Sequence, residues 1–298
     1  MSQTCSPSTQ RRYGLARVCR VWELARSTVY LYQERRETPP PRPAAKRGPK
    51  PRWSDEVLVE KIRAVLDASP FLGEGHRKVW ARLRWQGVRT SKARILRLMR
   101  EAQLLAPTRL GHAHGPKAHD GRITTDAPDQ MWGMDATSCL TRREGNATVF
   151  VVVDHCAAEC VGLHAARPGT RFEAVEALRQ GVRTIFGGYA EGIATGLLAR
   201  HDHGSQYVSD YRQDELKFLG IESSPAFVRE PEGNGVAERF IRTLKEQLLW
   251  VRTFETVEEL RLALLEFKDR YNRAWLCERH GHHTPAAVRA HATRRKAA

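Results

Sequence analysis

Asn234-Gly-Val-Ala-Glu-Arg-Phe-Ile-Arg-Thr-Leu-Lys-Glu246 is the stretch on which the reading of the chain turns. Asn234 and Gly235 mark a helix start, and no breaker follows before Trp250. Ala237, Ile241, Leu244 and Leu248 recur at helical intervals and form one apolar stripe. Glu238 and Lys245 are seven residues apart. At about 100° per residue they fall within roughly 20° of each other, two turns apart on one face, about a quarter-turn from the stripe. A carboxylate and a lysine at the rim of a core suit a metal ion and a phosphate. Taken alone, the stretch also reads as an ordinary amphipathic helix with solvated charges, and only its context separates the two.

The context lies upstream. Asp202 falls in Leu197-Leu-Ala-Arg-His-Asp-His-Gly-Ser-Gln-Tyr207, just past a small apolar run, and Asp135 in Met131-Trp-Gly-Met-Asp-Ala-Thr137. Between Asp202 and Glu238 lie 35 residues (238 − 202 − 1). Singly, Asp135 reads as a strand-end or capping aspartate and Asp202 as a turn residue before Gly204. As an ordered set, two strand-associated aspartates and a helical glutamate resemble the DDE transposases and retroviral-type integrases. The chain is most similar to the second-frame (OrfB) transposases of two-frame bacterial insertion sequences. The matching wording is His201-Asp-His-Gly-Ser-Gln-Tyr207, Asn234-Gly-Val-Ala-Glu-Arg239 and Thr243-Leu-Lys245, and the likeness runs over most of the chain.

The resemblance implies an active DNA transposase that cuts the 3′ ends of an insertion sequence and joins them to target DNA. Its in-line attack on a phosphodiester builds charge on the attacking and leaving oxygens, which two Mg²⁺ ions about 3.5–4 Å apart can stabilise. Carboxylates suit such hard cations. Carried onto this chain, the catalytic and metal-binding residues are Asp135, Asp202 and Glu238, with two Mg²⁺ as cofactor and Mn²⁺ as a substitute. Lys245 resembles the basic residue that contacts the terminal base pairs, against a merely solvated lysine. Arg242, Arg239 and Asn234 on the same helix, with Lys92, Arg94, Arg97 and Ser27 further upstream, complete the DNA-contact candidates. The family further implies terminal inverted repeats and target DNA as partners, a homo-multimer on DNA, a small helical partner from an upstream frame, and a bacterial, nucleoid-associated setting in the cytoplasm. A catalytically inactive repressor or architectural protein derived from a transposase is the alternative, which three intact carboxylates disfavour. A general nuclease is weaker still, given the basic helical front.

That front is visible in the charge. The net charge of +15 comes wholly from residues 1–120, with 25 Lys+Arg against 10 Asp+Glu; residues 121–298 carry 24 of each. A basic front and a balanced rear point to a nucleic-acid grip joined to something with a different task. The six cysteines form no CxxC pair, and His155, Cys156 and Cys160 fit no common zinc spacing. The zinc-binding module of retroviral integrases has no counterpart here. Unpaired cysteines suit a reducing cytoplasm. No stretch is long enough for a membrane span, and the first residues lack a signal peptide's apolar core.

The expected architecture is α/β: a ribonuclease-H-like catalytic domain, a mixed sheet flanked by helices, preceded by small all-α helix-turn-helix modules. Residues 1–37 form a helix-turn-helix-like module, with Leu15, Val18 and Cys19 on a buried edge, a turn at Val21–Leu24 and Ser27 as N-cap; a simple helical hairpin fits the same pattern. Residues 38–52, with six prolines and five Lys+Arg across Thr38–Arg52, are a stiff basic linker. Residues 53–108 are a second DNA-binding module of three helices (Ser54–Ala68, His76–Gln86, and one capped by Ser91), whose third either reads DNA or presents a solvated basic face. Residues 109–128 are a linker, with His112, His114 and His119 as a weaker zinc candidate. The catalytic core, 129–275, has a three-strand meander (Met131–Thr137, Ala147–Val153, Cys160–Ala165), a helix from Phe172 to Ile185 and a fourth strand, Ala194–Arg200. It continues with a helix around Tyr211–Leu219, a short Ile221–Phe227 segment, the Glu238 helix and a last long helix, Glu255–Tyr271. Asp154 closes the second strand as a structural residue. Residues 276–298 are an exposed, frayed tail.

Overall fold

Alternation between short capped helices and β-branched runs is what the chain folds into. The computed structural model describes residues 3–37, 52–107, 125–201, 209–225 and 234–297. Most of both expected linkers, the three histidines in the second and Asp202 lie outside the described residues.

The chain divides into two compact units, 1–53 and 54–298. The first holds α1 (Leu15–Val21) and α2 (Arg26–Glu37). Cys19 is buried while Trp22, Leu24 and Tyr30 are exposed. In the turn Glu23 takes φ +53°, the left-handed conformation that glycine more often supplies. Ser27 is not the N-cap: α2 begins one residue earlier, at Arg26, so Ser27 lies exposed in the first turn.

The second unit opens with α3 (Asp55–Asp67), α4 (His76–Trp85) and α5 (Lys92–Glu101). Ser54 Oγ accepts from Val57 N at 3.3 Å and Ser91 Oγ from Arg94 N at 3.2 Å, so hydroxyl caps set both helix starts. Leu58, Ile62 and Val65 of α3 pack inward with Val79, Leu83, Ile95, Leu98 and Met99. Val57, in the first turn of α3, is exposed.

The sheet follows: β1 (Met131–Thr141), β2 (Gly145–Asp154), β3 (Cys160–Ala166), then α6 (Arg171–Phe186), β4 (Leu198–His201), α7 (Asp210–Leu219) and β5 (Glu222–Pro225). The strand order is β3-β2-β1-β4-β5. The first three strands pair antiparallel, and β1–β4 and β4–β5 pair parallel. β4 is shorter than the expected Ala194–Arg200. Ala194 and Leu197 are buried in the core, which gives the stretch its strand-like texture, but Gly196 at φ +91° turns the chain before pairing begins. β1 runs on to Thr141 because β2 continues to pair with it along a long hairpin.

Helices cover both faces. Val149, Val151 and Val153 of β2 face α8 (Gly235–Leu244) and α9 (Val257–Ala274), where Phe240, Leu244, Leu260, Leu264 and Phe267 are buried. Phe150 and Val152, with Trp132 and Met134 of β1, face α6 and α7 through Ala174, Leu178, Val182 and Leu216. Val151 and Val153 are opposite Asp135 and Gly133 in the ladder, so those two β1 residues belong to the α8 face. On α6, a Cβ at Gly162 of β3 would collide with the Ala177 carbonyl, so glycine permits the close approach of helix and sheet. On the open side of β3, α9 side chains meet the main chain. Asn272 bonds Cys160 N at 2.9 Å and Cys160 O at 2.8 Å, and Arg261 donates to Ala165 O at 2.6 Å.

Residues 276–298 are not a frayed tail. Leu276 and Cys277 are buried, a 3₁₀ turn spans Glu278–His280, and α10 (Pro285–Ala297) follows. Arg289 of α10 pairs with Asp129 at 2.5 Å and with Glu159, near the fully buried Asp154. Asp154 is structural as expected: its oxygens accept from Asp129 N (2.8 Å) and Ala157 N (2.6 Å), closing the turn after β2.

Candidate active site

The apolar stripe read from the sequence is what presses α8 onto the sheet: Ala237, Ile241, Leu244 and Leu248 are all buried, and Phe240 joins them. The helix is pinned at its start. Asn234, 6% exposed, donates from Nδ2 to Met134 O at 2.8 Å. It rests over Gly133, where a Cβ would come within 2.5 Å of Asn234 Oδ1 and 2.8 Å of His155 Nε2. A side chain on residue 133 would therefore displace the helix start, and a glycine inside a strand is the sequence sign of such an approach. Asn234 was expected on DNA. Its burial and its bond to β1 instead make it the fastener between strand and helix.

This fastening relates the two described carboxylates. Asp135 is two residues beyond Gly133 on the same face of β1, half-buried, with Oδ1 accepting from Ala136 N at 2.7 Å. Glu238 is four residues beyond Asn234, one turn or about 6 Å along α8. It is exposed and has no hydrogen-bond or ion-pair partner among the described residues. Partial removal of water by neighbouring atoms pushes its carboxyl pKa up. An acid left in that condition favours an added cation, and an all-carboxylate set offers the hard oxygen ligands that a divalent ion takes.

The β1–β4 ladder ends at Gly133↔Arg200, and Asp135 stands two positions past that pair in β1. Asp202, two positions past Arg200 in the sequence, lies outside the described residues. β4 is secured on its other side: Arg200 Nη1 donates to Ser224 Oγ at 3.4 Å and His201 Nε2 is 3.0 Å from Ser223 Oγ.

His155 was set aside in the sequence as a poor metal ligand, and it packs behind this site. It is buried, neither ring nitrogen makes a hydrogen bond among the described residues, and Arg279 binds its carbonyl at 2.7 Å. Burial, reinforced by Arg200 and Arg279, lowers its pKa to about 4, so the ring is neutral. Burial pushes the Cys160 thiol up to about 12, which keeps it protonated.

The α8 helix does not continue as plain α-helix to Trp250. Lys245–Leu249 form a π turn, so Lys245 lies where the geometry changes, half-buried and without a polar partner among the described residues. Arg239 and Arg242 are exposed, and Arg242 Nε bonds Glu246 at 3.0 Å. On α5, two expected DNA contacts are engaged internally. Arg94 holds Asp55 Oδ1 at 2.5 Å, and Arg97 holds Asp55 Oδ2 at 2.6 Å and Glu101 at 2.8 Å. Arg97, then Arg94, keep the Asp55 carboxyl pKa below the usual range. Lys92 is exposed, its Nζ 4.6 Å from the centre of the Trp80 ring.

A five-stranded mixed sheet of this order, helix-covered on both faces, with acidic residues in β1 and on the helix seated over it, has the layout expected of a ribonuclease-H-like fold. The comparisons agree with that class. A model of an HTH-like domain matches residues 52–111, and one of an integrase core domain matches residues 219–285. The transposase for insertion sequence element IS629 of Shigella sonnei is 28% identical over 287 residues, covering 93% of this chain and 92% of that protein. Transposase InsD for insertion element IS2A/D/F/H/I/K of Escherichia coli is 26% identical over 246 residues, 80% of this chain and 78% of its own. Among solved structures, the catalytic core domain of BIV integrase aligns with 57% of this chain and 99% of its own at 22% identity and a TM-score of 0.41. The chain is thus similar to insertion-sequence transposases, and separate stretches of it match an HTH-like domain and an integrase core domain.

Proposed function

We propose that the chain is an active DNA transposase that cuts the 3′ ends of an insertion sequence and transfers them to target DNA. The observation that carries this reading is the seating of α8 on β1: Asn234 fastened at Met134 brings the Glu238 helix onto the sheet face that carries Asp135. Asp202 follows β4, the parallel neighbour of β1, at the matching offset. Asp135, Asp202 and Glu238 would hold two Mg²⁺ ions, with Mn²⁺ as a substitute, and such ions supply positive charge to the oxygens of a phosphodiester under attack. The described part of the protein's own contribution is to hold Asp135 on β1 and Glu238 on α8 while pairing Glu238 with no cation among the described residues. Lys245, at the start of the π turn, is the basic residue we assign to the terminal base pairs, with Arg239 and Arg242 exposed beside it. The HTH-like module supplies the grip on the terminal repeat. Two ends require two active sites, so the working form is a multimer on DNA, with or without a helical partner from an upstream frame, in a bacterial cytoplasm.

The test is incubation of the purified protein with duplexes carrying the ends of its own element in Mg²⁺, Ca²⁺ or EDTA, beside Asp202→Asn and Glu238→Gln. Nicking at the 3′ strand that needs Mg²⁺ and disappears in both variants is the expected result. Binding without nicking, with and without the fused upstream frame, would overturn it in favour of a DNA-binding protein.

A further inference from the structure

The loop between α3 and α4 is hydrogen-bonded to the π turn that continues the Glu238 helix. Leu72 N–H donates to Gln247 Oε1 at 2.8 Å, and Gln247 Nε2 donates to Leu72 O at 3.0 Å. One side-chain amide thus satisfies both main-chain groups of Leu72, a two-point pairing that fixes orientation as well as distance. Gln247 is the third residue of the π turn, and the turn continues α8 without a break, since Lys245 keeps helical angles of −60° and −52°. A π turn places one extra residue in the helix. Residues beyond it are therefore rotated by up to about 100° from where an unbroken α-helix would put them.

Other contacts between the module and the core go elsewhere. Phe71 packs edge-on against Trp275 at 4.9 Å. Arg82, held by the buried Glu74 at 2.7 Å, donates to Ala274 O at 3.3 Å. Arg77 pairs with Glu278 at 2.6 Å. These reach the end of α9 and the turn after it. Phe71 also shares the apolar cluster that holds Phe240, Ile241, Leu244 and Leu248, but among the polar contacts named here Gln247 is the one that joins the module to the element carrying Glu238.

We infer that Gln247 is a positioning residue that locks the HTH-like module to the catalytic helix, so that DNA gripped by the module meets the carboxylates at one phosphodiester. The inference rests on the transposase reading above for its meaning, but the coupling has its own readout. Gln247→Ala removes the pairing, Gln247→Met keeps the volume without it, and Gln247→Glu keeps the acceptor for Leu72 N–H while opposing Leu72 O.

With end duplex and Mg²⁺, the wild type should nick at one position. In the Ala and Met variants, nicking at that position should fall roughly 10- to 100-fold, as ångström-scale misplacement does, and neighbouring positions should appear. Affinity for the duplex should stay within about twofold. A destabilised but coupled protein would lose yield without moving the cut, and an unmoved cut in Gln247→Met overturns the inference. Hydrogen exchange judges the coupling without catalysis. End duplex should slow exchange across Gly235–Leu249 in the wild type and do so less in Gln247→Met; equal slowing overturns the inference. A wild type that nicks nothing counts against the proposed function, and the exchange result then decides the coupling.

Discussion

Gly133→Ala adds one methyl group beneath the start of the Glu238 helix. The new Cβ would stand 2.5 Å from Asn234 Oδ1 and 2.8 Å from His155 Nε2, where ordinary contact begins at 3.4 Å. The two groups must withdraw by about 0.9 and 0.6 Å, overpacking of the kind that costs about 1–3 kcal/mol. Neither has an easy retreat, since Asn234 is bonded to Met134 O and His155 is buried. For a domain of this size, 1–3 kcal/mol corresponds to a melting temperature lower by about 2–12 °C. The larger effect is on chemistry. Asn234 carries the first turn of α8 with it, and a displacement near 1 Å at Glu238 costs up to about 100-fold in rate. Thermal melting followed by circular dichroism gives the first quantity, and Mg²⁺-dependent nicking of end duplex at a temperature where the variant is folded gives the second. A variant that melts lower yet nicks at the wild-type rate would refute the idea that the Asn234 fastener sets Glu238. One unchanged in both would refute the close contact itself.

Glu238→Gln should abolish nicking while leaving the melting temperature equal or higher at neutral pH. The Glu238 pKa is raised in the fold, so ionisation opposes folding as pH rises past the unfolded value, and any gain should vanish in acid. For His155 the folded pKa is depressed, from 6.5 to about 4. Its contribution is therefore present above the unfolded value and lost as pH falls through that window, by about 3 kcal/mol. Denaturant titrations should show His155→Phe with a flatter profile between those limits and no loss at pH 7. Arg289→Met should cost roughly 1–3 kcal/mol, less than the full buried-pair penalty, because it strands the partly buried Asp129 and Glu159 without their counter-charge, and chemical unfolding measures it. Asp55→Asn releases charge on α5, and DNA affinity should rise with a salt slope steeper by up to about 0.9 for each added phosphate contact. An unchanged slope would place α5 away from the backbone.

What could be read from the chain alone was local. Ser54 and Ser91 announce their helices by hydroxyl capping, and Val149–Val153 is apolar at every position because both faces of the sheet are covered. The pairing of Asp135 with the Glu238 helix was legible as order and spacing, and its geometry depends on Gly133, which as a glycine within a strand signals a close approach but not which element makes it. Three features depend on partners far away in sequence. Asp55 takes up Arg94 and Arg97 across 39 and 42 residues. α10 docks through Arg289 rather than through an apolar stripe, so its sequence resembles a solvated tail. The π turn at Lys245 leaves no periodicity signal in five residues and is held by Leu72, 175 residues away. Asn234 reads from the sequence as a helix start and a DNA contact, and only the fold shows it buried.

The two margins of the sheet bear on how copies of this chain behave when brought close together. An unpaired strand invites another strand to join it. Here the β5 margin is four residues, Glu222-Ser-Ser-Pro225, and the proline has no N–H to offer. The β3 margin is long and apolar, but its main-chain groups already carry Asn272 and Arg261. Among the described residues each margin is thus a poor template for a second strand, which favours contact between crowded copies through side chains over joining of their sheets.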